Sequence, residues 1–447
     1  MVFRHIVVLL VAFEIGSAFE GTTAAPEPTN PSVYEERRKR NWCGPNHEVD
    51  PLPALDDPAC AKRFPPFFDR DFHCPSTWPS GSMRGFHPPT IRADSLDVLP
   101  ELATIVPMGT SIDAKVAVGV LRRENAGMPP LVRYLGNGAE RVAHQPWSSS
   151  KVFAAAHAAA RLRAIQPNLG LDAAAGLLTD GVALSDMLTI IASYDVNTTR
   201  PGVTSNALGA YFQSLGGHAA AKSYLHETIG SNTSESFGGT YGEPVPPSLG
   251  YTLRPGSAPN TPVRVPPDPV PIPPISNSMS CLTMAEWLRR IVCTREDADS
   301  GHAAALGWTD SSAMLYGSPS SALFPGLQWG GLSMGTDIYL QDAVDFDAIE
   351  ARSNGLWRIF SKLGAGVSST AHPGQFEITL NAYGCFPVVA GHEKELLASV
   401  PGRGVEFVLS AAVVGKDSAS ADAAMRVLVA NVSNFLLARY DRGETSP

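Results

Sequence analysis

Hydrophobic and polar positions divide the chain into an irregular beginning, a strand-like opening, a helical middle and a strand-like end. Residues 19–100 are rich in Pro, Asp and small polar residues and keep no helical or strand period, which reads as a loop-dominated leader. The pattern changes at Lys115. Residues 115–120 and 131–134 read as two strands, with the turn formers Gly127 and Pro129-Pro130 between them, and so as a hairpin. The Ala-rich stretch 151–162 has high helix propensity, and 171–178, 184–191, 206–215 and 219–225 continue as short helices broken by Gly and Pro. Twelve prolines then fall within the 31 residues 244–274, a density that favours extended polyproline conformation and predicts neither helix nor sheet. Helix resumes at 283–292, strands are predicted at 356–363, 375–383 and 405–414, and a closing amphipathic helix at 419–440. This order predicts an α/β (α+β) sandwich in which sheet-forming ends enclose a helical insert.

Composition narrows the class. With 44% hydrophobic and 8% aromatic residues over 447 positions the chain can fill a sizeable core, which excludes a wholly disordered protein. One large domain of about 300 residues is expected. Asp and Glu outnumber Lys and Arg by 43 to 34, so the surface opposes phosphate and no nucleic-acid partner is expected. The N-terminus pairs a short basic region (Arg4, His5) with the apolar run 6–13 and small residues through Ala18, the pattern of a secretory signal peptide over residues 1–25. No stable membrane span is expected after its removal, and the mature protein is expected to be a monomer, secreted or, in a bacterium, periplasmic. Export permits disulfides among Cys43, Cys60, Cys74, Cys281, Cys293 and Cys385. Three of these precede the main domain, so complete pairing needs at least one bridge between the two regions, with connectivity left open. No CxxC pair and no His at ligand spacing accompany them, so neither a zinc site nor another metal or cofactor is expected.

The most informative stretch is Pro146-Trp147-Ser148-Ser149-Ser150-Lys151. Pro and Ser start helices, which places Ser148 and Lys151 one turn apart on one face near a helix N-terminus. A Ser hydroxyl is a weak nucleophile at neutral pH, and a partly desolvated Lys at this spacing can serve as its base. By contrast, His157, on the same Ala-rich helix, reads as a packed residue, because a Ser-Lys arrangement needs no imidazole.

This Ser-x-x-Lys follows a predicted hairpin and opens an Ala-rich helix, where it resembles the active-site motif of the serine β-lactamases (class A-like) and penicillin-binding D,D-peptidases. Two downstream stretches resemble that family's other motifs: Ser193-Tyr194-Asp195 after a helix, and Lys362-Leu363-Gly364 in a predicted strand. Glu243-Pro244 resembles the Glu-Pro of the class A loop that carries the deacylation base. The resemblance covers residues 111–440 and implies an antiparallel sheet flanked by helices plus an all-helical lobe. It makes 26–110 a leader and 244–274 an insertion within one domain. It also implies an acyl-enzyme on Ser148, Lys151 as base with its pKa depressed by burial and by Lys362, Ser193 as proton relay, and an oxyanion site made by the Ser148 N–H and one near Ala365 or Gly366. Asp195, Lys362, Gly364 and Ala365 would meet a β-lactam or peptide-like acyl substrate. Two residues depart from the pattern. Asp195 stands where the family has an Asn that donates a hydrogen bond, and Leu363 where it has a hydroxyl. Alternatives to a β-lactam-directed enzyme are therefore an esterase or amidase on another acyl donor, and a secreted binding module with little turnover.

Overall fold

The computed structural model describes residues 72–78, 83–88, 92–106, 113–125, 127–171, 177–179, 182–193, 204–243, 250–255, 261–267, 276–296, 306–318, 321, 330–334, 339–368, 372–389 and 399–440. The predicted hairpin is present as β2 (Asp113–Arg122) and β3 (Leu131–Gly136), paired antiparallel. The C-terminal strands are β8 (Arg358–Val367), β9 (Phe376–Val389) and β10 (Ser399–Gly415). Strand β10 pairs with both β2 and β9, so the two ends of the chain close one sheet. With β1 (Val98–Leu99), which runs parallel to β3, the order is β1-β3-β2-β10-β9-β8.

Alternation along the central strands sends side chains to two cores, because successive residues of a strand face opposite sides. Val116, Val118 and Val120, with Leu409, Ala411 and Val413, pack under α9 (Ser418–Tyr440) against its Ala421, Met425, Leu428, Val432 and Leu436. Ala117, Leu121, Val408 and Ala412 face the other way, toward the helical lobe. That lobe holds α1 (Lys151–Ile165), α2 (Leu184–Ser193), α3 (Ser205–Gly216), α4 (His218–Ser223), α5 (Cys281–Val292) and α6 (Trp308–Tyr316). Two shorter helices, α7 (Leu340–Ala343) and α8 (Phe346–Ser353), lead back to the sheet. The fold class is thus the one expected: mixed α/β, with a largely antiparallel sheet flanked by helices and a helical lobe. Helix α9 is long and apolar enough to cross a membrane, but half of its most apolar window is buried against this sheet. His157 is packed among the rings of Tyr224 and Phe237, as its place on an apolar helix suggests.

Several expectations are corrected. The helix expected at 171–178 is not formed at its end, where β4 (Leu177–Thr179) pairs with β5 (Val182–Ala183); residues 172–176 lie outside the described set. The Pro-rich stretch does carry sheet. Residues of β6 (Tyr251–Pro255) and β7 (Val263–Val265) pair with each other, and β6 pairs with β4. The prolines are compatible because they stand at strand ends, Pro255 closing β6 and Pro262 and Pro266 bracketing β7, where a missing N–H breaks no ladder. The segment before the hairpin supplies β1, and its Cys74, 2% exposed, is disulfide-bonded to Cys385 on β9, a bridge of the kind expected between the two regions. Cys281 and Cys293 are buried and form no disulfide, so complete pairing does not occur. Cys43 and Cys60 lie outside the described residues.

Candidate active site

Ser148 sits in a 3-10 turn, Trp147–Ser150, that runs directly into α1. Trp147, immediately before it, has φ 50°, a left-handed conformation that L-residues hold only when their surroundings enforce it. Three restraints do so. The Trp147 indole Nε1 donates to Glu377 Oε2 at 2.8 Å. The Thr379 hydroxyl donates to Pro146 O at 2.7 Å and lies 3.1 Å from Ser149 Oγ. Asn381 Nδ2 donates to Ser149 O at 3.1 Å. All three partners lie on β9, so the turn is held against the sheet by one strand. Ser149 and Ser150 are buried as a result, and Ser148 keeps partial exposure.

The neighbouring strand β8 approaches the same turn through glycine. A Cβ on Gly364 would lie 2.6 Å from Ser149 N and 2.7 Å from Pro146 O, so any larger residue would push the turn away. Gly366 leaves room for the Trp147 ring in the same way. Among the described residues β8 pairs with β9 alone, which leaves its other edge toward the Ser148 turn.

Lys151 is 1% exposed, and its ammonium donates to Ser205 Oγ at 3.0 Å and Asn206 Oδ1 at 2.7 Å, both on the first turn of α3. Helix α3 can lie this close because Gly209, one turn on, has no side chain; a Cβ there would stand 2.9 Å from Lys151 Cγ. Thr204 caps α3 by accepting from Ala207 N at 3.0 Å, and its hydroxyl donates to Glu243 Oε1 at 3.1 Å. The Tyr241 ring lies 5.4 Å from Lys151 Nζ, and its hydroxyl is 3.1 Å from Ser150 Oγ. Burial lowers the Lys151 pKa to about 7, with the Glu243 carboxylate pulling the other way. The expectation that Lys362 shares in this depression is not met, since burial alone lowers it.

The sequence-derived residues are therefore unevenly distributed. Ser148, Lys151, Gly364 and Glu243 converge, Gly364 through the Ser149 backbone and Glu243 through Thr204 and the field at Lys151. Lys362, 2% exposed, donates to Leu363 O at 2.9 Å, and Ala365 follows Gly364 on the same strand, partly buried. Leu363 packs toward the α9 core and brings no hydroxyl. Ser193 is the last residue of α2, and Asp195 lies outside the described residues. The oxygens bonded to Lys151 are those of Ser205 and Asn206 instead. Their sequence signal is a Thr-Ser-Asn capping run opening an apolar helix, 54 and 55 residues beyond Lys151. Among the described residues no group of three or more His, Cys, Asp or Glu side chains could hold a metal ion.

No protein-family model matches this chain, and no curated protein does. Solved structures with a similar arrangement include a β-lactamase from Xanthomonas campestris pv. campestris, at 15% identity and TM-score 0.38, covering 78% of this chain and all of that one. A β-lactamase from Sphaerobacter thermophilus has 14% identity and TM-score 0.37, covering 78% and 98%. The C-terminal domain of the Bacillus licheniformis BlaR penicillin-receptor has 11% identity and TM-score 0.34, covering 74% and 90%. Similarity at this level assigns no activity.

Proposed function

We propose that the protein is an exported serine hydrolase that forms an acyl-enzyme on Ser148, its acyl-transfer domain spanning residues 111–440 behind a signal peptide and leader. The observation that carries this reading is Lys151: buried, hydrogen-bonded at Ser205 and Asn206, and with a pKa of about 7, one turn from a partly exposed serine. In the neutral form Lys151 accepts the Ser148 proton as Oγ bonds to a substrate carbonyl carbon. The N–H groups of Ser148 and Ala365 stabilise the oxyanion, and collapse of the intermediate breaks the C–N bond. The Lys151 proton reaches the leaving nitrogen through the Ser205 hydroxyl, the part sequence alone gave to Ser193. Glu243 then activates the water that frees Ser148, and Lys362 provides positive charge for an anionic group of the substrate, a β-lactam or a peptide-like amide.

Leu363 favours a second reading. Without a hydroxyl beside Lys362, recognition of a carboxylate weakens, which fits an esterase or amidase on another donor or a binding module with little turnover. Intact-mass analysis of the protein with a fluorescent penicillin, beside Ser148→Ala, separates the readings. We expect an adduct or drug turnover that depends on Ser148. A folded protein showing neither would move the function to another acyl donor or to binding alone.

A further inference from the structure

Below the Ser148 turn lies a cavity of about 370 Å³ that none of Ser148, Lys151, Lys362 or Gly364 lines. Strand register explains its shape. Lys115 on β2 and Thr379 on β9 both pair with Ala412 on the strand between them, and Asp113 and Glu377 both pair with Val414. Residues two apart share a face, so Asp113 and Lys115 of β2 and Glu377 and Thr379 of β9 rise on either side of a floor made by Ala412 and Val414. Two strand spacings, roughly 9.6 Å, separate the two walls. The segment carrying Ala139, Val142, Ala143 and His144 covers the floor, and His372 stands at one end.

The two walls differ in charge. On the β2 side, Lys115 is 6% exposed and its ammonium has, among the described residues, Asp113 as its one hydrogen-bonded partner, at 3.1 Å, while Asp113 is also 2.9 Å from His372 Nε2. Lys115 therefore retains donors that its protein partner does not use. On the β9 side, Glu377 is 5% exposed and accepts from the Trp147 indole through one carboxylate oxygen. His144, which also lines the cavity, is 8% exposed, with Nδ1 3.5 Å from Val142 O and a buried Nε2 that has no partner among the described residues. A ligand donor that reaches this nitrogen removes the cost of leaving a buried polar atom unpaired.

We propose that this cavity binds a small zwitterion of the α-amino-acid type, with its carboxylate on Lys115, its ammonium on Glu377 and the unpaired His144 nitrogen, and an apolar side chain against Val142, Ala412 and Val414. The volume lies within the range of small-molecule sites, and mostly apolar walls with a few fixed polar groups are their usual lining. The site stands independently of the acylation reading, so Ser148→Ala protein binds equally well.

Isothermal titration calorimetry of the purified protein with alanine, valine and leucine tests it, beside the matching amines and carboxylic acids that each lack one charge. We expect the amino acids to bind at least about tenfold more tightly than either single-charge analogue. Lys115→Met and Glu377→Gln should each abolish that preference. Val142 is 51% exposed at the cavity wall, so Val142→Trp leaves the fold intact while closing the entrance, and it should abolish binding. The proposal is overturned if folded protein binds no amino acid at about 10 mM, if binding survives both Lys115→Met and Val142→Trp, or if the simple acids bind as well as the amino acids.

Discussion

A lysine ammonium that is 1% exposed loses the water that stabilises its charge, and two neutral oxygen acceptors at Ser205 and Asn206 do not replace that water fully. The Lys151 pKa of about 7 is the result. Its sign for stability follows from proton counting. Between that value and the unfolded value of 10.5 the unfolded chain holds a proton that the folded chain has released, so stability rises with pH through this window. Below it both forms are protonated and the burial cost is felt in full. We expect the Ser148 acylation rate to rise with pH to a plateau with a midpoint near 7, and Lys151→Met to remove the pH-dependent rise in denaturant midpoint across the same window. A midpoint near 10 would mean that the lysine is solvated in solution. The pairing of Ser148 and Lys151 was legible in the sequence because a Ser and a Lys one turn apart are a local feature. Ser205 and Asn206 were not, because their partnership with Lys151 depends on how α3 packs, which is permitted by a single glycine at 209.

At the scale of elements, the clamp on the Ser148 turn comes from β9. Thr379 contacts both Pro146 O and Ser149 Oγ. Thr379→Val keeps the shape and removes the hydroxyl; Pro146 O still accepts from Ser149 N and Ser149 Oγ, so the loss is that of a hydrogen bond, about 0.5–1.5 kcal/mol. We expect the variant to lose that much stability by urea unfolding and to acylate more slowly, whereas an unchanged acylation rate would show that the glycines of β8 suffice to hold the turn. Strands with apolar residues on both faces, such as β2 and β10, and the Ala-rich α1 announce themselves through continuous hydrophobicity. Helices α6 to α8 do not, being short and set by neighbours more than by period. The Pro-rich stretch misleads for a different reason: its proline density describes the connections, while the pairing residues Tyr251, Thr252 and Leu253 on β6 and Val263, Arg264 and Val265 on β7 lie between the prolines.

At the scale of the whole molecule, β2 from the early part of the domain and β10 from its end form the centre of one sheet, and the Cys74–Cys385 bond ties the preceding segment to the adjacent strand across 311 residues. Closing so long a loop removes much entropy from the unfolded chain, so Cys74→Ser with Cys385→Ser should cost about 3–5 kcal/mol. Thermal unfolding of the double variant beside the unreduced protein checks this, and equal midpoints would show that packing around Cys74 already holds the segment in place. The same separation has a consequence for synthesis. A ribosome adding about 5–20 residues per second delivers Cys385 roughly 15–60 s after Cys74. During that interval Cys74 is a thiol with no correct partner yet made, alongside Cys43, Cys60, Cys281 and Cys293 in turn. Correct maturation is therefore a matter of timing: whatever oxidises this chain must act late or be able to reverse its early choices, and a cell lacking a disulfide isomerase should yield more mispaired protein the faster it oxidises.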